Sequence, residues 1–201
     1  MVRRGAKRCF DVTASAAALV VLSPVLLGIG VAIRLDSPGS AIYRQVRVGR
    51  EGRRFRILKF RTMVRDADRL AANVSPSDDP RITRFGRFLR RWYLDELPQL
   101  VNVLRGDMSL VGPRPETPEY VALYTPEELR VLEVRPGLVG PSTLAHMDEG
   151  EVLSSAADPE ALYRTRILHE RVRVDLEYLS RGSLAYDVAL LARQLLAIVR
   201  R

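Results

Sequence analysis

The stretch VTASAAALVVLSPVLLGIGVAI, residues 12–33, decides the fold of this protein because it holds 22 consecutive residues without a charge. As a straight helix it would extend roughly 33 Å, which is enough to cross the hydrocarbon core of a bilayer. Ser23 and Pro24 lie at its middle, and a proline inside a helix removes one backbone hydrogen bond and clashes with the preceding turn. The stretch therefore predicts an apolar membrane helix that is broken at Ser23-Pro24.

Basic residues flank this stretch on both sides. They are Arg3, Arg4, Lys7 and Arg8 before it, and Arg34, Arg44, Arg47 and Arg50 after it. Under the positive-inside rule both ends prefer the cytoplasm, which favours a re-entrant helix that enters the membrane and leaves on the same side. An ordinary kinked span remains an alternative. A signal peptide is a weaker one, because no clean cleavage site follows and arginines continue immediately afterwards.

Composition limits the kinds of site that this chain of 201 residues can build. Its length suits one domain with attachments. A net charge of +8 indicates a polyanionic neighbour, such as nucleic acid, anionic lipid or a phosphorylated substrate. Cys9 is the only cysteine, so no internal disulfide can form, and with two histidines a zinc site is disfavoured. Any metal is expected to be a hard cation held by carboxylates and phosphates.

Several further elements are predicted from local pattern. Residues 42–48 and 55–59 read as a hairpin that turns at Gly49 and Gly52, and a helix is expected over residues 63–72. One helix could present a stripe of arginines, namely Arg81, Arg84, Arg87 and Arg91. The acidic residues 148–160 are most simply a solvated loop. The last helix carries apolar residues at helical spacing, which suits either a surface-lying membrane helix or packing against the body: Leu184, Val188, Leu191, Leu195 and Val199.

The pair Asp95-Glu96 is the candidate catalytic centre. A helix from about Glu96 to Arg105 would place Asp95 near its N-terminus, where backbone N–H groups also attract phosphate. One carboxylate could attack phosphorus while the other orients it or a metal. The alternative is that Asp95 is simply a helix cap. Candidate groups to neutralise a pyrophosphate are Lys59, Arg61, Arg90 and Arg114, for which the alternative is surface solubility.

The chain resembles the polyprenyl-phosphate phosphoglycosyl transferases, the monotopic bacterial sugar transferases. The matching stretches run in order over roughly two-thirds of the chain, and so long a series is highly specific. They are KRCFD (7–11), YRQ (43–45), KFRTM (59–63), DPRITR (79–84), LDELPQ (94–99), NVL (102–104), GDMSLVGPRPE (106–116) and RPGL (135–138). After Gly140 the chain departs from the family, because an acidic insert stands where many members carry a tryptophan-containing segment.

The resemblance implies an α+β, mostly helical monotopic membrane protein of the minimal catalytic-unit type. Residues 1–36 would form the re-entrant membrane helix broken at Ser23-Pro24. Residues 37–201 would form a cytoplasmic catalytic domain with a small β-hairpin and amphipathic interfacial helices. The expected location is the cytoplasmic face of the bacterial inner membrane.

The resemblance also implies a reaction and its residues. A sugar-1-phosphate would move from a UDP-sugar to polyprenyl phosphate, with Mg2+ as cofactor and Asp95 as nucleophile and metal ligand. Glu96 would be the partner of Asp95, and the substrate site would be lined by Lys59, Arg61, Arg90, Arg114, Pro115, Glu116 and, as a weaker transfer, Asp175.

The partners expected from this reading are a UDP-sugar, polyprenyl phosphate and anionic membrane lipids, with no nucleic acid. The sequence does not fix the oligomeric state, and a homodimer is one alternative. A rival hypothesis is a non-catalytic membrane adaptor that binds anionic lipid or nucleic acid through its basic helix. That hypothesis explains the charge but gives no role to Asp95-Glu96 or to the loop of residues 112–116.

Overall fold

The computed structural model describes residues 4–65, 67 and 74–200 of the chain. These residues are mostly helical and form two small sheets. In chain order the elements are α1 (Arg4–Asp36), β1 (Ile42–Val48), β2 (Arg54–Phe60), α2 (Arg84–Arg91), α3 (Gln99–Arg105), β3 (Ser109–Val111), α4 (Pro118–Val121), β4 (Gly137–Val139), α5 (Pro141–Ala145), α6 (Glu149–Ser154), α7 (Pro159–Leu162), α8 (Leu168–Arg181) and α9 (Leu184–Val199). Single 3-10 turns lie at Arg50–Gly52, Leu94–Glu96 and Glu128–Glu133, and a π-helical turn at Tyr163–Ile167 leads into α8.

Helix α1 continues through Pro24 without interruption. A proline has no N–H, so Pro24 leaves the carbonyl of Val20 without its usual helical donor. The hydroxyl of Ser23 takes that place and donates to Val20 O at 2.8 Å. This replacement allows the helix to continue past Ser23-Pro24, where a break was predicted. The re-entrant course of the helix remains a prediction.

Both ends of α1 contact the same folded body. Near its start, Lys7 Nζ donates to Val111 O at 3.0 Å and to the buried carboxylate of Asp187 at 2.5 Å. Near its end, Ile33 is buried in an apolar cluster that also contains Phe60 of β2. The helix therefore lies along the body and is fastened to it at each end.

The opposite face of α1 is apolar and exposed. Among the described residues it is the one helix long and apolar enough to cross a membrane, and only 11% of its apolar stretch is buried. An exposed apolar face of this size is typical of a surface that meets lipid. Its exposed residues are Val20, Val21, Val25, Leu27, Val31 and Leu35.

The hairpin is confirmed at nearly the predicted bounds. Strands β1 and β2 pair antiparallel, with Ile42 opposite Phe60 and Val48 opposite Arg54. The side chain of Asn102 on α3 fastens β2 by accepting from Leu58 N at 2.9 Å and donating to the Arg56 carbonyl at 2.8 Å. The sheet therefore carries Lys59 directly above α3.

A second, parallel pair of strands holds the loop of residues 112–116. β3 pairs with β4 so that Ser109 faces Gly137 and Val111 faces Val139. The two strands approach so closely that a Cβ atom on Gly137 would lie 2.1 Å from Gly112 N. Glycine at both positions is what allows the loop to leave the sheet here.

Three local predictions are corrected by the structure. Helix α3 begins at Gln99, because Asp95 and Glu96 form a separate 3-10 turn before Pro98. Arg81 precedes α2 and is buried against Asp79, with Nη2 and Oδ2 2.6 Å apart, so the exposed stripe holds only Arg84, Arg87 and Arg91. The acidic stretch contains α6 and α7 instead of a solvated loop, because Leu153 packs into a core cluster.

The helix expected over residues 63–72 lies mainly outside the described residues. Its first residue, Met63, forms an isolated antiparallel bridge with Ile82.

Helix α9 buries one face against the body and exposes apolar residues on the opposite face. Asp187, Leu190 and Gln194 are buried, and Asp187 accepts a 2.7 Å hydrogen bond from Tyr178 Oη on α8. Val188, Leu195, Leu196 and Val199 are exposed. Of the predicted stripe, Leu191 packs against the core, whereas Val188, Leu195 and Val199 are exposed. Helix α9 therefore packs against the body on one side and presents an apolar surface suited to a membrane on the other.

Candidate active site

Asp95 and Glu96 line a cavity of about 1230 Å3. Its walls come from the hairpin, α2, the loop of residues 112–116, α6 and the start of α8. A volume above the usual range for small-ligand pockets leaves room for more than one substrate. Four of the predicted basic residues line it, namely Lys59, Arg61, Arg90 and Arg114.

Asp95 and Glu96 are held on a strained turn. Tyr93, directly before the turn, has φ 54, a left-handed conformation that non-glycine residues seldom adopt and that concentrates at functional sites. Asp95 is 8% exposed and Glu96 is 9% exposed. Two adjacent buried carboxylates are costly to keep charged, so the surrounding cations must compensate.

The negative charge of Glu96 is balanced by two cations, Lys59 and Arg114. Its Oε1 lies 2.6 Å from Lys59 Nζ and 3.7 Å from Arg114 Nη1. Burial alone would raise the pKa of Glu96, but the charges of Lys59 and Arg114 outweigh burial and lower that pKa to about 2. Glu96 is therefore anionic at neutral pH and fixed in place.

Asp95 is in a different electrostatic position. Burial raises its pKa above the ordinary value, and adjacent Glu96 adds to this, while Lys59 and Arg90 pull it down. Within the described part of the chain, no hydrogen bond joins its side chain to another residue. Asp95 thus faces the cavity with oxygen lone pairs available, which is what a nucleophile or a metal ligand requires.

Arg90 and Arg61, both predicted to bind the pyrophosphate, lie in different parts of the cavity. Arg90 reaches into the site from α2, where Nε donates to Thr62 Oγ1 and Nη1 donates to Ser75 Oγ, both at 2.9 Å. Arg61 lies at the cavity edge and donates to the Ser37 carbonyl at 2.6 Å at the end of α1. Arg61 therefore caps the apolar helix, whereas Arg90 retains a position beside Asp95.

The loop that carries Arg114 is anchored from three sides. Asp175 accepts from Arg114 N at 3.0 Å, and Arg47 Nη1 donates to the Pro115 carbonyl at 3.1 Å. Glu116 Oε2 is 3.1 Å from Arg47 Nη1, and Glu116 Oε1 accepts from Tyr163 Oη at 2.8 Å. These contacts fix the guanidinium beside Glu96.

Asp175 itself is buried behind the loop. It also accepts from the hydroxyl of Ser142 at 2.8 Å, and burial raises its pKa despite these hydrogen bonds. The structure therefore places Asp175 as a support of the Arg114 loop, while Glu116 lines the cavity and Pro115 borders a small cleft behind Lys59 and Glu96.

The residues present fit Mg2+ in a limited way. No group of three or more His, Cys, Asp or Glu side chains converges on one point within residues 4–65, 67 and 74–200. Mg2+ commonly needs only one or two carboxylates when substrate phosphates and water complete its coordination. Asp95 can supply one such carboxylate, so a shared site with a phosphorylated substrate is compatible with this cavity.

Two residues at this site were missed by the sequence reasoning. Arg171 is 5% exposed and lies at 2.6 Å, through Nη1, from Glu149 Oε2 on α6. Both residues line the cavity, and the charge of Arg171 contributes to the low pKa of Glu96. Arg171 could have been found from its spacing, because it lies one helical turn before the candidate residue Asp175. No local sequence pattern indicated Glu149.

Comparison with known proteins places this arrangement among transferases. The family described as bacterial sugar transferase matches residues 2–201. A UDP-glucose:undecaprenyl-phosphate glucose-1-phosphate transferase of Caulobacter vibrioides is 38% identical over 93% of this chain and 67% of its own length. An undecaprenyl-phosphate glucose phosphotransferase of Komagataeibacter xylinus is 41% identical over 92% of this chain and 34% of its own length.

A third relative differs in its sugar. The UDP-N-acetylgalactosamine-undecaprenyl-phosphate N-acetylgalactosaminephosphotransferase of Aeromonas hydrophila is 37% identical over 96% of this chain. The chain spans 43% of that relative's length. The similarity thus extends across nearly all of this chain but covers under half of two of these relatives.

Proposed function

The chain belongs to the bacterial sugar transferase family, and from this membership we propose that it moves a sugar-1-phosphate from a UDP-sugar to polyprenyl phosphate and releases UMP. The three relatives named above carry names that specify undecaprenyl phosphate, and two specify a UDP-sugar. These names support undecaprenyl phosphate as the acceptor. The observation that carries the proposal is the buried Asp95-Glu96 pair at the cavity wall, in which Glu96 pairs with Lys59 and Arg114 while Asp95, among the described residues, forms no ion pair.

The first half of the reaction is an attack by Asp95 on the sugar-bearing phosphorus of the donor. A carboxylate oxygen forms a bond to phosphorus, and the bond from phosphorus to the bridging oxygen breaks, so that UMP leaves with the bonding electron pair. Lys59, Arg90 and Arg114 would hold the pyrophosphate and balance its charge, since positioning and electrostatics dominate phosphoryl transfer. The product is a phospho-sugar joined to Asp95 as an acyl phosphate.

The second half returns the enzyme to its starting state. An oxygen of polyprenyl phosphate attacks the same phosphorus, and the bond to Asp95 breaks to regenerate the carboxylate. Covalent catalysis divides one difficult exchange into two similar steps at one site. Glu96, held by Lys59 at 2.6 Å, keeps its charge and position through both steps.

Mg2+ is part of the proposal. When bound, it counters the negative charge of the donor phosphates, and Asp95 is the residue of this chain that would share it with them.

In the proposed function the apolar helix α1 holds the reaction at the membrane surface. Because α1 contacts the body at both ends, we propose a re-entrant course in which both ends of the helix and the body lie on the cytoplasmic face. The outward apolar residues of α9 and the exposed arginines of α2 would then meet the lipid tails and anionic headgroups. A water-soluble UDP-sugar and a lipid phosphate can meet at this level.

A non-catalytic adaptor explains these observations less well. Lipid binding does not require a buried carboxylate pair in a large cavity. Burying two carboxylates lowers the stability of the fold, and a cost of this kind is typical of catalytic sites.

The first prediction concerns the requirements of turnover. The full chain in nanodiscs, given a UDP-sugar, undecaprenyl phosphate and Mg2+, is expected to release UMP continuously. Addition of EDTA should reduce the rate to background, and an excess of Mg2+ should restore it. Absence of UMP release with every UDP-sugar tested would contradict the proposed function.

The second prediction concerns topology. The exposed Cys9 reports on the start of α1, and Glu133→Cys in a Cys9→Ser background reports on the body. In intact cells both thiols should resist a membrane-impermeant maleimide, and both should react once the membrane is permeabilised. Labelling of only one of them in intact cells would mean that α1 crosses the membrane fully.

A further inference from the structure

The walls of the cavity carry opposite charges. The hairpin, α2 and the loop of residues 112–116 contribute Lys59, Arg90 and Arg114, whereas α6 and the residue before it contribute Asp148, Glu149 and Glu151. Like charges repel strongly in a partly desolvated site. The phosphates of a donor are therefore expected at the basic wall, and an uncharged or cationic part of the ligand is expected to face the acidic wall.

The base of this acidic wall is a built site. Arg171 is buried and pairs with Glu149 at 2.6 Å, yet Arg171 Nε has no hydrogen-bond partner within the part of the chain that the structure describes. Among the described residues, Oε2 of Glu149 accepts the hydrogen bond from Arg171, and Oε1 of Glu149 remains available to accept further hydrogen bonds. Tyr163, whose hydroxyl is held by Glu116, lines the same end of the cavity.

This end of the cavity adjoins the acidic pair. Arg171 acts electrostatically on Glu96, and Glu149 acts on Arg114, which itself lies 3.7 Å from Glu96. In the proposed reaction the sugar is joined through one oxygen to the phosphorus that Asp95 attacks, while the nucleoside is one phosphate further away. Apart from the phosphates, the sugar is therefore the part of the donor nearest to Asp95, and it can extend toward Glu149 within the same cavity.

The acidic wall is also held firmly. Ser77 N donates to the Gly150 carbonyl at 3.0 Å, and Ser154 Oγ donates to Asp78 Oδ1 at 2.8 Å. On its other side, α6 buries Leu153 in the cluster with Tyr163. A wall fixed on both sides is suited to discriminate between ligands, because little ordering is needed when one binds.

We propose that α6, with Glu149 and Arg171 at its base, is the subsite for the sugar of the donor and that Glu149 is a specificity-determining residue. A carboxylate accepts hydrogen bonds from sugar hydroxyls or from an amino group, and a guanidinium donates to sugar oxygens. The same carboxylates repel a sugar that bears its own carboxylate. The donor class is therefore a neutral or amino hexose, and a uronic acid is rejected.

This inference rests on the proposed function, and Glu149→Gln tests it separately. The variant keeps the size of the side chain and a hydrogen bond to Arg171 but removes the negative charge. The full chain in nanodiscs is assayed for UMP release from UDP-glucose, UDP-N-acetylglucosamine and UDP-glucuronate, with Glu133→Gln as an exposed carboxylate-to-amide control. Thermal unfolding checks that each variant is folded.

Wild type and Glu133→Gln should prefer a neutral donor to UDP-glucuronate. In Glu149→Gln the ratio of kcat/KM values between the preferred donor and UDP-glucuronate should fall by about tenfold or more, since loss of one close charge–charge interaction is worth about that factor. Inhibition by UMP, which lacks the sugar, should change less than about twofold. An active and folded Glu149→Gln enzyme with an unchanged ratio would overturn the subsite while leaving the proposed function intact; an inactive wild type would overturn both.

Should Glu149→Gln be unfolded, Glu151→Gln provides the second test. Glu151 is exposed on the same wall and α6 does not depend on it for packing. Its removal should lower the same ratio by a smaller factor, about twofold to threefold, and no change in that folded variant would count against the acidic wall as the sugar subsite.

Discussion

Asp95→Asn is expected to lower the steady-state rate of UMP release by at least about 10^3-fold, because the amide cannot supply the anionic oxygen that attacks phosphorus. The buried side chain keeps its size, so the fold should be preserved. The measurement is UMP release by the full chain in nanodiscs with Mg2+, undecaprenyl phosphate and the preferred UDP-sugar. Background release without enzyme sets the lower limit.

Glu133→Gln is the matched control for this substitution. It also converts a carboxylate to an amide, but Glu133 is 66% exposed and does not line the cavity. Its rate should stay within about twofold of wild type, as for most surface substitutions. A rate for Asp95→Asn within tenfold of wild type would remove Asp95 from the chemistry.

Lys59→Met is expected to lower kcat/KM by about 10^2-fold to 10^3-fold, because it removes a cation that faces Glu96 at 2.6 Å and the donor phosphates. Arg54→Met on the same strand is the control, since Arg54 is exposed and outside the cavity lining. Equal rates for the two variants would show that the Lys59 charge has no part in turnover.

The same variant should change the pH dependence. Asp95 must be ionised to attack, so the rate falls as pH falls through the pKa of Asp95, which burial raises and Lys59 opposes. Removing Lys59 raises that pKa further, and the acid limb of the kcat/KM profile should move to higher pH than in wild type. An acid limb that stays in place would mean that a different group controls it.

The sequence predicted the parts of the site that depend on local pattern. Gly49 and Gly52 marked the hairpin turn, and the structure shows that β2 brings Lys59 within 2.6 Å of Glu96. The motif around Asp95 marked the centre of the cavity, although α3 begins only at Gln99. Short elements of this kind are set by turn residues and close neighbours, which a sequence displays directly.

The parts that it missed depend on individual side-chain contacts, one between distant segments and one within a helix. The pairing of Glu149 with Arg171 spans 22 residues, and it turns an acidic stretch that resembles a solvated loop into a cavity wall. The course of α1 through Pro24 depends on a single Ser23 hydroxyl that substitutes for the missing donor. Neither feature has a periodic signal, because each is decided by a tertiary or side-chain hydrogen bond.

The measurement that tests the central claim most directly is the intact mass of the protein after a half-reaction. Wild-type chain is mixed with Mg2+ and the preferred UDP-sugar in the absence of polyprenyl phosphate. The account predicts release of about one equivalent of UMP, a mass gain equal to one phospho-sugar on Asp95, and loss of that mass when undecaprenyl phosphate is added. Asp95→Asn should give neither the UMP burst nor the adduct. UMP release that strictly requires the lipid acceptor, with no adduct on any residue, would contradict the account and leave Asp95 as a metal ligand or a base.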